Sequence, residues 1–369
     1  MNRNVTVLGI RIILIGLYLL FAGLLWWRYG ITTDLEAAKY IEAAHELSVG
    51  NFEFVRSHYK AFVSYIIFLL PATLAGKVQL SVIPQIGLTI IASNEIYNLI
   101  KKESNHVKLA LIGMSVYLFN FFIQCWTTTL FSEGFFIPVS TILLTQALKK
   151  EATSKNFLII IALSVIVIFA RPQGILFALP TLIYFLKKSK LVSGFISNIF
   201  LFSLILATFT YILIHSVNCE YTYRPIAESS IICGFPQTKK VHLDTNDNCT
   251  ILDAHRLIIR EYGLLHDIKL FGKKAISLFT FTRSYYSTWH NWLVGVNYIF
   301  LVLSVIPLYS NRNSLSESFL YQIISLNIIL TGITYNEWHG RYLAALMPIL
   351  IMLATKGLRI LYTKKSRHN

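Results

Sequence analysis

The chain has 369 residues, of which 55% are hydrophobic, 14% aromatic and 14% charged, with a mean hydropathy of +0.58. Soluble domains carry roughly 25% charged residues, so this composition excludes a water-soluble globule. The formal net charge of +15 would point to nucleic acid in a soluble protein. Here the basic residues gather in short loops on one side of successive apolar runs, which is the asymmetry that orients helices in a bilayer. That leaves a nucleic-acid role nothing to explain.

Apolar runs of spanning length recur from end to end, predicting an all-α polytopic membrane protein of about ten transmembrane helices. It reads as one integral membrane domain over 1–369, with both termini cytoplasmic. The predicted spans are 8–27, 78–100, 107–128, 133–148, 156–170, 172–186, 194–215, 291–309, 317–335 and 341–362. The first is a retained span, because "LLWWRYG" follows it where a cleaved signal needs small residues.

The first outer loop, 28–77, begins with "ITTDLEAAKY". Thr33 and Glu36 have capping-box spacing, and Asp34 falls in the favourable first turn of the helix they predict. That helix runs to Val49, with Gly50 as its terminator. The same Asp34 and Glu36 carboxylates stand where the chain leaves the bilayer. A carboxylate there can take a proton from an acceptor hydroxyl, its basicity raised by the apolar surroundings. His58 and Lys60 precede the apolar stretch 61–76, which contains Pro71 and is too short to span, so it predicts an interfacial helix.

Further along, Glu133 in "SEGFF" and Arg171 in "ARPQG" fall at the same predicted membrane level as Asp34. Each also has a structural reading, Glu133 as a helix N-terminal acid and Arg171 as the marker of a tight turn. The second large outer loop, 216–290, holds Cys219, Cys233 and Cys249. These permit one disulfide with one thiol over, or three thiols, and the sequence does not choose. Its rear part has apolar residues at helical spacing with basic residues between, predicting helices on the outer leaflet. The last outer loop, "YNEWHGRYLAAL", supplies His339 and Arg341, either interfacial anchors or phosphate ligands. No metal-ligand spacing such as HxxxH or HExxH occurs.

Four stretches together resemble the GT-C type of polyprenyl- or dolichyl-phosphate-sugar-dependent glycosyltransferases. They are "TDLEAAKYIEAAHELSVG", "SEGFFIPVSTILLTQAL", "ARPQGILFALPTLIYFL" and "HGRYLAALMPILIMLATKGL". The resemblance implies Asp34 as catalytic base, Glu36 and Glu133 as further acids, and His339 and Arg341 holding a lipid-linked phosphate. Arg171, His58 and Lys60 are additional phosphate candidates. It implies inverting transfer of a single sugar from a polyprenyl-phosphate carrier to a cell-envelope glycan, such as O-antigen, or a glycolipid. Some members of that type use a divalent cation, Mg or Mn, and others basic side chains alone. The basic candidates here favour the second. Composition rich in Ile, Asn and Lys suits an AT-rich bacterial genome, placing the expected site on the periplasmic side of the inner membrane. The competing classes are a flippase or transporter of lipid-linked glycans and an O-antigen polymerase or ligase.

Overall fold

The structure, a computed structural model, describes residues 3–149, 151, 153–189, 203, 207, 222–238, 249–309, 314–337 and 340–365. Among these there is no β-strand, only two isolated bridges, and the fold is all-helical. The predicted span 194–215, Cys219 and His339 lie outside the described residues. The chain divides into two compact units. The first comprises residues 1–189, 296–320 and 344–369, and the second 190–295 and 321–343.

The first unit opens with α1 (Arg3–Tyr29), whose Leu8, Ile12, Ile13, Leu17, Leu20 and Trp27 are each half exposed or more. Such a continuous apolar surface has no favourable place in water. There follow α2 (Glu36–Ser48), α3 (Phe52–His58), α4 (Val63–Leu74), α5 (Val82–Ser104), α6 (Val107–Phe119) and the short α7 (Phe121–Gln124). After these come α8 (Ser132–Lys149), α9 (Ser154–Ile168) and α10 (Ile175–Lys188). α5 packs against α6 and α8, α10 against α9, and α2 against α4. In the second unit α11 (Arg224–Ala227), α12 (Ile251–Tyr262) and α13 (Leu264–Ser277) surround a core that includes Ile226, Cys249, Ile258 and Leu270. The remaining helices are α14 (Thr288–Gly295), α15 (Tyr298–Val305), α16 (Leu315–Ile333) and α17 (Arg341–Lys365).

Among the described residues three stretches are long and apolar enough to cross a membrane: Thr6–Tyr29, Thr288–Tyr309 and Arg341–Thr363. The predicted span 107–128 is interrupted, because buried Asn120 ends α6 with extended backbone and its side chain accepts from the Phe122 amide to start α7. Its amide donates to Asn297 Oδ1 at 2.7 Å. The apolar stretch 61–76 forms only the short α4 after a 3-10 turn.

The expected capping box is not formed. Leu35, not Thr33, holds the N-cap of α2, at φ 54°, and no side chain caps the helix. The backbone turns at Asp34 too late for Thr33 to reach the first-turn amides, and Glu36 becomes the first helical residue. The C-terminus follows the expectation. Gly50, at φ 87°, donates to the Leu47 carbonyl, and the Asn51 amide donates to Glu46, which is a Schellman closure.

In the second unit α12 and α13 form as amphipathic helices, and α13 leaves Leu264, Leu265, Ile268 and Ile276 exposed. His255 of α12 lies between two acceptors: Nδ1 faces Asp267 at 2.8 Å, and Nε2 donates to the Ile333 carbonyl at 2.8 Å. Lys274 on α13 is fully buried, and its ammonium has no hydrogen-bond partner. Burial pushes it down from 10.5 to about 8, against the pull of Asp267. Between these two values the unfolded chain holds a proton that the folded one has released, so stability rises with pH through that window. Lys274→Met is expected to stabilise the protein below pH ~8 by about 3 kcal/mol and to flatten the rise. Denaturation midpoints measured across that pH range check both.

Candidate active site

The site is built where the chain emerging from α1 meets the loop before α8. The Thr32 amide donates to the Thr128 carbonyl at 3.0 Å, and the Leu130 amide donates back to Thr32 at 3.1 Å. This isolated parallel bridge ties the Asp34–Glu36 bend to the residues that lead into Glu133. Gln85 of α5 braces the same loop from beneath, its amide donating to the carbonyls of Trp126 at 2.8 Å and Thr127 at 3.1 Å.

Glu133, in the first turn of α8, is 1% exposed, and its carboxylate is ion-paired with the guanidinium of Arg171, itself 7% exposed. Arg171 sits in extended backbone directly before Pro172, and a 3-10 turn, Pro172–Gly174, starts α10. Gly174 is required there, because a Cβ would strike the Val167 carbonyl. The turn is also tied to α4, since the Ser64 amide donates to Phe169 at 2.9 Å.

Tyr40 closes the cluster. Its buried hydroxyl donates to Glu36 Oε1 at 2.8 Å, and its ring lies edge-on to buried Tyr65, centroids 5.2 Å apart. Burial pushes the phenol above its ordinary value, reinforced by the Glu36 and Glu133 carboxylates and opposed by Arg171 and the Ser132 hydroxyl. Tyr40 therefore remains a protonated donor.

The sequence-predicted acids thus differ in what they are able to do. Glu133 is held by Arg171 and Glu36 by Tyr40, whereas Asp34 is exposed and its carboxylate makes no hydrogen bond or ion pair among the described residues. Of the three, Asp34 is the carboxylate open to an incoming hydroxyl. Its neighbour Leu35 has positive φ, a conformation that costs a non-glycine residue about 1–3 kcal/mol.

The basic candidates separate too. Arg171 belongs to the buried pair rather than to an open phosphate site. His58 and Lys60 are exposed, with His58 Nδ1 engaging Ser57 and Phe54 of its own helix. Arg341 begins α17 in the second unit, among Tyr335, Glu337 and Cys233. There the Cys233 amide donates to Asn336 and the Asn336 amide to Ile231, both at 2.9 Å. Cys249 is disulfide-bonded, and Cys233 is a free thiol. Among the described residues no three His, Cys, Asp or Glu side chains gather as a metal-holding group. Tyr40 and Gln85 carry structural weight that residue-type reasoning passes over. Gln85 has the clearer signal, as a lone amide inside the apolar run "VIPQIGLTI".

Ion pairs stand near both ends of α8. Glu95 pairs with Lys149 at the far end of α8, about 24 Å along the helix from Glu133. It also accepts from Gln146 at 2.6 Å, so it does not reach out to solvent alone. Glu317 likewise pairs with Lys356 at 2.6 Å.

No protein-family model, curated protein or solved structure matches the chain. Its reading rests on its own residues.

Removing one partner of a buried pair leaves an uncompensated charge, which costs about 3–5 kcal/mol. Glu133→Gln and Arg171→Met are each expected to lower the unfolding midpoint sharply, while the joint change Glu133→Leu with Arg171→Met recovers much of the loss. Thermal unfolding in detergent measures this, and additive losses would show that the two side chains act independently. Tyr40→Phe, which removes one buried hydrogen bond, is expected to cost about 1 kcal/mol in the same measurement.

Proposed function

We propose that the chain is an integral-membrane glycosyltransferase of GT-C type, moving one sugar from a polyprenyl-phosphate carrier to a glycan or glycolipid acceptor. The observation that carries this reading is the contrast between Asp34 and its surroundings. An exposed, uncommitted carboxylate stands at the end of α1, on a bend stapled at Thr32 to the loop entering α8. Beside that bend, half-buried Glu36 is held by Tyr40, and Glu133 and Arg171 form a buried ion pair. A base must be open to substrate and rigidly placed, and this arrangement supplies both.

In the proposed step Asp34 takes the proton of the acceptor hydroxyl. The oxygen forms its bond to the anomeric carbon as the bond from that carbon to the phosphate oxygen breaks, with inversion. The bonding pair leaves on the lipid phosphate. Phosphate is a competent leaving group, so positive charge beside it serves better than a proton donor. No donor set for Mg or Mn can be named among the described residues, and the step is written without a cation. The proposal includes the ten-span topology, both termini cytoplasmic, and a site on the outer, periplasmic face of a bacterial inner membrane. The three long apolar helices and the shorter ones are compatible with that arrangement.

Purified protein in lipid, offered a panel of polyprenyl-phosphate sugars and native envelope glycan, is expected to transfer sugar. Asp34→Asn, at matched folding, is expected to lose about a hundredfold or more of the rate. Full activity in Asp34→Asn would remove it as the base. Absence of transfer from every donor would overturn the enzyme reading and direct attention to translocation of lipid-linked glycans.

A further inference from the structure

A second polar feature of the first unit lies away from the candidate active site. A groove of about 950 Å³ opens between the beginning of α1, the end of α5, the start of α6 and the end of α17. Lys101, on its wall, is 16 residues beyond Gln85 on the same helix, about 24 Å away along its axis. The groove therefore sits at the end of α5 opposite the loop that Gln85 braces.

Its lining combines two chemistries. Arg11, Lys101, His106 and Lys108 supply basic groups, Leu8 and Ile112 supply apolar wall, and among the described residues no carboxylate lines it. The Arg11 guanidinium lies 4.4 Å from the ring centroid of Tyr97, and the Lys101 ammonium lies 5.9 Å from the same centroid. Arg11 donates to Asn94 Oδ1 at 2.6 Å, a neutral acceptor, while its Nε is buried with no hydrogen-bond partner. Two cations thus face one ring with no carboxylate among the described residues lining the groove, and like charges repel.

Backbone adds to the demand for an anion. α6 starts at Val107 behind His106, whose backbone is extended, and no side chain caps the helix. Val107, Lys108 and Leu109 all line the groove, so the positive end of the helix dipole faces it. The ligand chemistry this specifies is a phosphate. The walls decide between a soluble phosphate and a lipid. Leu8, Ile112 and Tyr362 are each strongly exposed, and the apolar surface continues along α1 through Ile12 and Ile13. A soluble anion gains nothing from that surface, whereas acyl chains do.

We propose that this groove binds an anionic phospholipid, its phosphodiester headgroup seated among Arg11, Lys101, Lys108 and the start of α6, its acyl chains lying along α1. Basic pockets between helices serve this purpose in membrane proteins generally. The site is independent of the sugar-transfer reading and is tested without an activity assay.

The test follows thermal unfolding of the full chain in nonionic detergent, titrated separately with phosphatidylglycerol, phosphatidylcholine and inorganic phosphate. Phosphatidylglycerol is expected to raise the midpoint saturably, and the other two to leave it in place. In Lys101→Gln with Lys108→Gln, half-saturation is expected to move at least about tenfold higher, equivalent to 1.4 kcal/mol. Equal stabilisation by phosphatidylcholine would show only a general lipid belt, and stabilisation by inorganic phosphate alone would show a soluble-anion site. Either overturns the proposal, as does an unchanged response in the double variant. Should that variant unfold without lipid, Lys101→Arg with Lys108→Arg keeps the charge and is expected to keep the response. Its loss in that variant would equally overturn the site.

Discussion

A charge pair taken out of water, Glu133 with Arg171, is the constraint around which the first unit is arranged. Desolvating both ions is expensive, and the mutual attraction repays it only with good geometry and further polar partners. The fold brings four segments together around the pair: the bend after α1, the start of α4, the entry to α8 and the turn before α10. Pro172 and Gly174 shape the turn that lets the guanidinium reach back. The Thr32 bridge and the Ser64 amide hold the flanking segments. A pair of this kind contributes specificity more than net stability, because alternative packings would strand one of the two charges.

The same logic appears twice in loops that would otherwise be free. Thr32 pairs with the 128–130 segment in the first unit, and Ile232 pairs with Asn336 in the second. Each is a single parallel bridge in an otherwise helical chain. Each bridge makes two hydrogen bonds and so satisfies four backbone groups that a buried loop would leave unpaired, and it sets the position of neighbouring side chains without a sheet. Asp34 benefits from this directly, since its bend is fixed at Thr32 on one side and by the start of α2 on the other.

The distribution of charge also has functional weight. With ion pairs at both ends of α8, the first unit is polar at two levels, and they differ in kind. At the Glu133 end Glu133 is paired with Arg171 and Glu36 with Tyr40, while Asp34 is exposed. In the groove between α1, α5, α6 and α17 the charges among the described residues are all of one sign. One end leaves a carboxylate exposed, the other a set of cations.

Much of this was legible in the sequence, and the limits are physical. Apolar runs with few charges determine helices wherever a backbone must satisfy its own hydrogen bonds, so the all-helical class followed from composition alone. The terminator at Gly50 was legible because a left-handed residue after a helix has few alternatives to glycine. The start of α2 was not, because a capping box is one local option among several, and the Thr32 bridge moved the bend to Asp34 and Leu35. Likewise, the break at Asn120 depends on an amide contact with Asn297, 177 residues away. Asp34, Glu36, Glu133 and Arg171 could each be picked out by residue type and position. Which of them are spent on one another, and which stays available, depends on distances between segments far apart in the chain, and only the tertiary structure decides those.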